Sequence, residues 1–340
     1  MKRTAAVKIS LIILSFLLAE SITILSQAQQ VYTRVKVVSP FNMSIIVDKN
    51  GEGDYESIQD AIDNAVANTI IKVHKGVYKE ILTINKPLTL IGESRNSTII
   101  NPTSGKNKYA IYIGHPGVTI KNMGISNSGR GLYTMGIQIS ASNTKIENCN
   151  IFDVPVGIGV WSSNNIIANS SFTRCSDEGI ALLGSPHKQV KNNTITNCSF
   201  RENNDGIELQ YASENIIRNC DFINNSHDGI SMIASSNNNN TILNCNMKNN
   251  GLHNIYITKR SSGNKIKNIT SDDSTNKEMN SNSDAKHQNK IPYPPIFRVD
   301  LNGDGSGDIS LVEFIIGIIT GEYNLRQLQN IHPKLIFSAK

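Results

Sequence analysis

Four side chains able to carry protons or bind cations occupy the same position in a repeated phrase. Glu178, Asp205 and Asp228 each stand immediately before Gly-Ile, and His253 stands before Asn-Ile in the following copy. If the copies stack as neighbouring strands, carboxylates about 5 Å apart repel one another, which raises a pKa or favours a bound cation. The pattern therefore predicts a proton-transfer or cation site, with Glu178, Asp205 and Asp228 as candidate catalytic residues.

Two reactions suit such a column of acids. A carboxyl group with a raised pKa serves as the general acid of a glycoside hydrolase, and the separation of neighbouring coils is close to that of the carboxylate pairs in such enzymes. A calcium ion held by the same acids, with Lys259 or Arg260 nearby, would instead suit β-elimination from a uronic acid. The alternative without chemistry is that Asp-Gly-Ile is an ordinary turn of the repeat.

Residues expected on the outer face of the same strands are candidates for binding a sugar. Trp161 is the only tryptophan of the chain, and an exposed indole offers a flat stacking surface for a sugar ring. Burial of this indole in the core is the competing interpretation. The candidate substrate-binding residues are Trp161, Glu208, Gln210, His227, His253, Tyr256, Lys259 and Arg260.

These residues belong to an internal repeat that predicts the fold. Ile-x-Asn recurs seven times between residues 120 and 268, and the first six copies are followed by Gly-Ile-x-apolar or a variant, whose first residues are 21 to 27 positions apart. Repeats of this length indicate stacked units, and the alternation within each phrase indicates strands. We predict an all-β fold, a right-handed parallel β-helix over residues 29–270. Its Ile, Phe and Leu side chains stack inside, and its Asn residues form left-handed, mutually bonded corners.

A short helix is predicted before the repeat, with Asp54 as its N-cap. Such a helix would cover the open end of the column, where unpaired strand edges promote aggregation. Its apolar stripe consists of Ile58, Ala61, Ile62, Ala65 and Val66.

The N-terminal segment resembles pectin methylesterases and related pectate-lyase-like β-helix proteins. The resemblance rests on SIQDAID from Ser57, GVYKE from Gly76 and LTLIGE from Leu88. The later repeats resemble carbohydrate-binding and sugar-hydrolase repeats, so the likeness covers about residues 45–270. It implies a β-helix fold and a polysaccharide partner. The esterase motifs, of the Gln-Asp-Thr-Leu and Asp-Phe-Ile-Phe-Gly types, have no match, so esterase activity is not expected.

Two strands are also similar to those of polygalacturonases. NNDGIEL, from Asn203, resembles their Asn-Thr-Asp-Gly-x-Asp strand, and HDGIS, from His227, resembles their Gly-His-Gly strand. Their Asp-Asp and Arg-Ile-Lys motifs have no match. The sequence leaves two functions open. One is a secreted protein that binds an acidic polysaccharide and cleaves it as a hydrolase or lyase. The other is a surface or matrix protein that uses the β-helix as a rigid spacer.

A separate motif near the C terminus predicts a calcium site. Residues 300–314, DLNGDGSGDISLVEF, fit an EF-hand loop when Ile309 takes the apolar eighth position and Glu313 the bidentate twelfth. The single loop and following helix resemble half of a dockerin, which implies a scaffold or cell-surface protein as a further partner. The predicted ligands are Asn302, Asp304, Ser306, Asp308, Ser310 and Glu313.

The two ends predict an exported, modular protein that is secreted or held at the cell surface. Residues 1–28 have the basic start, apolar run and small-residue cleavage site of a signal peptide, with an uncleaved anchor as the alternative. No later segment is long and apolar enough to span a membrane. Residues 271–295 are predicted to be a flexible linker, and residues 296–340 the calcium module.

Charge and cysteine content narrow the class of protein. A formal charge of +5 without a basic run makes nucleic acid an unexpected partner. Cys149, Cys198, Cys220 and Cys245 each follow the repeat Asn, which predicts a column of buried thiols rather than disulfides. Cys175 lies outside that position, and we expect a free thiol in a loop.

Overall fold

The computed structural model describes the chain mainly from residue 44 to residue 271. The described residues are 44–102, 108–126, 134–233 and 236–271, with the backbone of Met279–Asn280, Arg298–Val299 and Ile309–Ser310. Within these residues the chain forms a coil in which each turn adds one strand to each of three parallel sheets. These sheets have ten, nine and nine strands. The predicted parallel β-helix is confirmed.

The three sheets are named A, B and C. Sheet A consists, in spatial order, of Ser44–Val47, Thr69–Val73, Leu88–Gly92, Thr119–Lys121, Lys145–Glu147, Ile166–Ala168, Thr194–Thr196, Ile216–Arg218, Thr241–Leu243 and Lys265–Lys267. Sheet B consists of Gly76–Tyr78, Thr98–Ile100, Gly124–Ile125, Asn150–Phe152, Ser171–Thr173, Ser199–Arg201, Asp221–Ile223, Asn246–Lys248 and Thr270–Ser271. Sheet C consists of Leu82–Ile84, Tyr109–Ile113, Met135–Ile139, Val156–Val160, Glu178–Leu183, Asp205–Gln210, Asp228–Met232, His253–Ile257 and Met279–Asn280.

Two smaller pairs of strands complete the described elements. Val190–Lys191 pairs in parallel with Ala212–Ser213, at the side of two successive coils. Arg298–Val299 pairs with Ile309–Ser310 in the antiparallel direction.

The Ile-x-Asn phrase forms sheet A and the corner that leaves it. The corner Asn has a φ between 52 and 56° in every copy, which is the left-handed conformation that Asn tolerates. In five copies its amide donates to the Asn of the preceding coil, for example from Asn148 Nδ2 to Asn122 Oδ1 at 2.8 Å and from Asn268 Nδ2 to Asn244 Oδ1 at 2.9 Å. The predicted bonded corner is therefore confirmed. The corner residues are Asn122, Asn148, Asn169, Asn197, Asn219, Asn244 and Asn268.

A second, buried asparagine ladder runs just before sheet A and was not predicted. In each step the backbone N–H and the side-chain amide of one Asn both donate to the Oδ1 of the next. From Asn193 to Asn215 these distances are 2.9 and 3.0 Å. The ladder satisfies polar groups that the stacked coils remove from water. Its members are Asn165, Asn193, Asn215, Asn240 and Asn264.

The interior is filled by columns of like side chains. Phe172, Phe200 and Phe222 stack with ring centroids 4.8 Å apart at both steps and interplanar angles of 7° and 5°. Burial raises the pKa of the Cys149 thiol to about 12, which keeps it in the unreactive form. The four cysteines of the predicted thiol column are buried and free, and Cys175, the fifth, is also a free thiol and is buried.

The predicted N-terminal helix is present as α1 (Ile58–Asn64), but its cap differs from the expectation. Ser57, not Asp54, is the N-cap, and its side chain accepts from the backbone N–H of Asp60. Asp54 is unavailable because its carboxylate accepts from the backbone N–H of Ile46 at 3.0 Å. The helix buries Ile58, Ala61 and Ile62 in the same core as the first coils, whereas Val66 is 52% exposed beyond its end. That α1 closes the column remains a prediction.

Glu80 of the GVYKE motif also contributes to this helix start. Its carboxylate accepts from the backbone N–H of Ile58 at 3.1 Å and of Gln59 at 2.9 Å, and from the Ser57 hydroxyl at 2.8 Å. A carboxylate at a helix N-terminus satisfies free N–H groups and interacts favourably with the helix dipole. The motif therefore has a structural role in this chain.

Several predictions lie outside the described residues. These are the signal peptide at 1–28, nearly all of the linker at 271–295, and the calcium loop, of which only the backbone of Ile309–Ser310 is described. The domain boundaries therefore remain predictions. Among the described residues, no helix is long and apolar enough to cross a membrane. The predicted calcium ligands concerned are Asn302, Asp304, Ser306, Asp308, Ser310 and Glu313.

Candidate functional site

The Gly-Ile phrase makes residues three apart neighbours on the outer face of sheet C. Ile207 is fully buried in the core, and a Cβ added to Gly206 would meet the ring of Phe222, so both residues face the interior. This interrupts the normal alternation of a strand. Asp205 and Glu208, on either side of the two inward residues, consequently both face outward.

Strand register aligns these outward positions into two columns. Outer column one consists of Tyr109, Met135, Val156, Glu178, Asp205, Asp228 and His253. Outer column two consists of Thr83, Tyr112, Gln138, Gly159, Ala181, Glu208, Ser231 and Tyr256. The structure therefore places the four residues before Gly-Ile and Asn-Ile on consecutive coils. Column one is apolar in its first half and acidic in its second.

Asp228 is the most enclosed member of the acidic half. It is 1% exposed, and four contacts converge on its carboxylate. Oδ1 accepts from the backbone N–H of His253 at 3.1 Å and lies 2.8 Å from His253 Nδ1. Oδ2 accepts from the Ser231 hydroxyl at 3.0 Å and lies 3.5 Å from His227 Nδ1. These contacts hold the carboxylate in one orientation, with the His253 imidazole next to Oδ1 and the His227 imidazole next to Oδ2.

Asp205, one coil earlier, contacts both Asp228 and His227. Its Oδ1 accepts from the backbone N–H of Asp228 at 2.7 Å and lies 2.7 Å from His227 Nδ1. Burial by itself would lower the pKa of His227. The hydrogen bond to Asp205 and the charge of Asp228 outweigh burial and raise this pKa. His227 therefore favours its protonated form between the two carboxylates.

Two glutamates beside this group have raised pKa values. Burial raises the pKa of Glu208 to about 8, although a hydrogen bond from Gln210 Nε2 to Glu208 Oε1, 2.7 Å long, acts in the opposite direction. Burial, followed by the charge of Glu208, raises the pKa of Glu178 well above its usual range. Glu208 therefore retains its proton at neutral pH and can donate it, and the pKa of Glu178 is shifted in the same direction.

A metal could also be held here. One ligand atom each from Asp205, His227 and Asp228 lies within 4.8 Å of the others. Carboxylate oxygens and an imidazole nitrogen suit a divalent cation. In this arrangement, however, Nδ1 of His227 is hydrogen-bonded to the carboxylate of Asp205, so binding a metal would require these atoms to exchange partners.

The apolar half of the outer columns surrounds the single tryptophan. Trp161 is half-buried and packs against an apolar cluster on the outer face that is separate from the core. A Cβ on Gly159 would meet both the indole and the sulfur of Met135, so the ring lies over this glycine. Core burial of Trp161, the competing interpretation, is therefore wrong. The apolar platform is defined as Tyr109, Met135, Val156, Trp161, Ala181 and Leu183.

The remaining predicted binding residues divide into two groups. Gln210 is bonded to Glu208, and the Tyr256 ring lies 5.2 Å from the His253 ring, so both adjoin the acidic half. Lys259 and Arg260 are exposed in the turn after the strand that begins at His253. They therefore lie beyond the C-terminal end of that strand, whereas His253 is at its N-terminal end.

A depression of about 420 Å³ borders the acidic half at the corner between sheets B and C. Its lining includes Arg174, Glu202, Asn204 and Ser226, of which the last two immediately precede Asp205 and His227. The depression offers room beside the acidic group for a flanking part of a ligand.

The sequence interpretation missed the apolar platform. Met135 and Val156 occupy the position before Gly-Ile, as Glu178 does, and the same rule would have assigned them to the outer face. Being apolar, they were not selected as candidate site residues. Gly159 was also missed, because its role depends on an indole that lies over it.

Comparison with known families defines the class. A family model described as "Right handed beta helix region" matches residues 89–199 and 136–284, which together exceed half of the chain. The chain belongs to this family, and its coil is accordingly right-handed.

Two relatives from Arabidopsis thaliana match shorter segments. "Probable pectinesterase 67" is 47% identical over 66 residues, covering 17% of this chain and 19% of that protein. "Probable pectinesterase 56" is 29% identical over 102 residues, covering 27% and 35%. This chain therefore spans about a fifth and a third of the length of these relatives.

Solved structures give similar but distant matches. Carrot pectin methylesterase is 13% identical with a TM-score of 0.45, covering 69% of this chain and 90% of that one. An alginate lyase from Paenibacillus sp. str. FPU-7 is 15% identical with a TM-score of 0.46, covering 68% and 98%. Pectate lyase Pel9A is 16% identical with a TM-score of 0.49, covering 69% and 78%. These identities say nothing about the activity of this chain.

Proposed function

We propose that this protein binds a polysaccharide along the outer face of sheet C and hydrolyses a glycosidic bond at Asp205, Glu208 and Asp228. The observation that supports the proposal most directly is that the acidic half and the apolar platform lie on the same face in adjoining coils. One supplies groups for proton transfer, and the other supplies a surface for a sugar ring. The names of the two Arabidopsis relatives, pectinesterases, agree with a polysaccharide partner.

The proposed roles follow from the environments of the carboxyl groups. Glu208 is protonated at neutral pH and gives its proton to the glycosidic oxygen as the bond to the anomeric carbon breaks. Asp228 takes a proton from the water that attacks this carbon, and Asp205 lies beside it to stabilise the developing positive charge. His227 and His253 are positioning residues, because they orient the two aspartates.

The test is release of new reducing ends from a panel of neutral and acidic polysaccharides. Glu208→Gln preserves shape but removes the proton donor, and we expect kcat to fall by roughly 10²- to 10⁴-fold. Glu147→Gln is the matched control, because Glu147 lies on sheet A, away from the proposed site on sheet C. Its contacts there are with Lys121 and Lys145. Equal rates for Glu208→Gln and the wild type would refute the proposed role, and no reducing ends from any polymer would refute hydrolysis.

Elimination is the competing chemistry. It was expected to use calcium on the acids together with Lys259 or Arg260. Hydrolysis is favoured because these cations follow the far end of the strand that begins at His253. The products distinguish the two reactions, since elimination leaves a double bond that absorbs ultraviolet light and hydrolysis does not.

We further propose that the chain is exported and that residues 302–313 bind calcium and attach the protein to a scaffold or cell surface. The support is the ligand pattern of the loop, which ends in Glu313. The test is calcium titration of the whole chain. Glu313→Gln should abolish the binding heat, whereas Glu208→Gln should leave it unchanged. Binding that survives Glu313→Gln would place the calcium elsewhere.

A spacer without catalysis is the second candidate function. It is favoured by the Asn corners, which continue through coils on both sides of the acidic half and stiffen the stack. Calcium-dependent attachment without cleavage of any polysaccharide would support it.

A further inference from the structure

The charges on the outer face of sheet C restrict the kind of polysaccharide that fits. Over the described strands, neither outer column contains Lys or Arg, whereas together they contain Glu178, Asp205, Glu208 and Asp228. Two histidines, His227 and His253, adjoin these acids. Each already contacts an aspartate, at 2.7 and 2.8 Å.

A uronate carboxylate placed on this face would therefore lose water without gaining an ion pair. Within the two outer columns its charged neighbours would be acids or histidines already bonded to acids, and Arg174, at the bordering depression, is paired with Asp153 at 2.7 Å. Burying a charge without a partner is costly, and like charges at short range add to that cost. A hydroxymethyl group in the same position carries neither penalty.

The apolar platform favours the same class of ligand. The indole of Trp161 lies over Gly159 and beside Met135, with part of its surface open to solvent. The C–H face of an uncharged pyranose packs on such a surface and keeps its hydroxyl groups in water.

The spacing between the platform and the acids suits a chain of sugars. Trp161 follows the strand Val156–Val160, and Asp205 and Asp228 begin the strands two and three coils further on. Neighbouring coils are 4.8 Å apart at the stacked phenylalanine rings. A pyranose unit has about the length of this step. A chain that crosses the coils would thus place one ring on the platform and another, two or three units away, at the acids.

We infer that the outer face of sheet C binds a chain of uncharged sugars that runs across the coils with one ring on Trp161, and that it discriminates against polyuronates. The inference rests on the proposed polysaccharide-binding function and names its substrate class. It replaces the expectation of an acidic polysaccharide, for which Lys259 and Arg260 were the expected cations, because both residues lie in the turn after His253–Ile257 and outside the two outer columns.

The test uses matched polymers that differ only at C6. Polygalacturonate, polymannuronate and polyglucuronate are each compared with their carboxyl-reduced forms by calorimetric titration of the full chain. We expect at least one reduced polymer to bind about tenfold or more tightly than its parent. Equal or tighter binding of the parent in every pair that binds would overturn the inference and leave the proposed function standing. Binding of no polymer would overturn both.

Variants of the platform test the same point without altering the acids. Trp161→Ala should weaken binding of the reduced polymer by about tenfold, while Trp161→Phe retains most of it. Gln138→Lys adds a cation to outer column two next to Gly159 and should raise affinity for the parent polyuronate. Ile216→Ala is the control, because Ile216 is 40% exposed on sheet A. An unchanged affinity in Trp161→Ala would remove the platform from the site.

Discussion

The inner and outer columns of the same coils differ in how they change from one coil to the next. Inside, Phe172, Phe200 and Phe222 follow one another with nearly parallel rings. Outside, column one changes from Val156 through Glu178 to His253 over four steps of the same register. Positions at which the residue type is the same from coil to coil hold the coils together. Positions at which it varies are available for binding and chemistry.

The physical reason lies in what each column contacts. An interior side chain packs on its equivalent in the coils above and below, so one shape repeats with few voids. An outer side chain has solvent or a ligand on one side and is not constrained in this way. The acidic half nevertheless carries a desolvation cost, because Asp228 is 1% exposed. Its contacts with His227, Ser231 and His253 offset part of that cost.

The largest expected effect tests the inner column. Phe200→Ala removes the middle ring of the stack, whose centroid lies 4.8 Å from each neighbour, and leaves a cavity. We expect the free energy of unfolding in urea to fall by about 3–5 kcal/mol. Ile166→Ala, at a site 43% exposed on sheet A, is the control and should change it by less than about 1 kcal/mol. Similar losses in both variants would show that the inner column has no special role.

A smaller effect separates the two asparagine ladders. Asn215→Ala in the buried ladder removes the acceptor of the backbone N–H of Asn193, one of the two acceptors of its side-chain amide, and the side-chain donor to the carbonyl of Val190. We expect a loss of about 2–4 kcal/mol, since each buried unpaired group costs about 1–3 kcal/mol. Asn219→Ala at an exposed corner, where φ is 54°, should cost about 1–2 kcal/mol from backbone strain alone. Urea unfolding measures both, and a reversed order would contradict the distinction.

The sequence predicted the inner columns well because they depend on residue type and spacing alone, as Ile-x-Asn shows. The acids before Gly-Ile were also placed in register from spacing. Three features depend on particular side-chain contacts that the repeat does not encode. Asp54 is occupied by Ile46 of a neighbouring strand, Trp161 rests on Gly159, and His227 bridges two coils. Such contacts depend on the size and position of individual side chains in the folded structure, and the spacing of the repeat does not determine them.

The effect that is smallest per step of the measurement, about 1 kcal/mol for one pH unit, tests the outer column through pH. The pKa of Glu208 is raised to about 8 in the folded chain, so between its ordinary value and pH 8 the folded state holds a proton that the unfolded state has lost. Stability from this group is therefore fully present at acidic pH and is lost as pH rises towards 8, by about 1 kcal/mol between pH 7 and 8.

Glu208→Gln isolates this contribution. Glu178, Asp177 and His227 also have raised pKa values, so a shallower fall of the same sign should remain in the variant. The measurement is urea unfolding at pH 5, 6, 7 and 8 for the wild type and the variant. If the two proteins lose stability in parallel, Glu208 titrates as it does in the unfolded chain and cannot be the proton donor at neutral pH. Divergence that grows with pH supports the proposed acid.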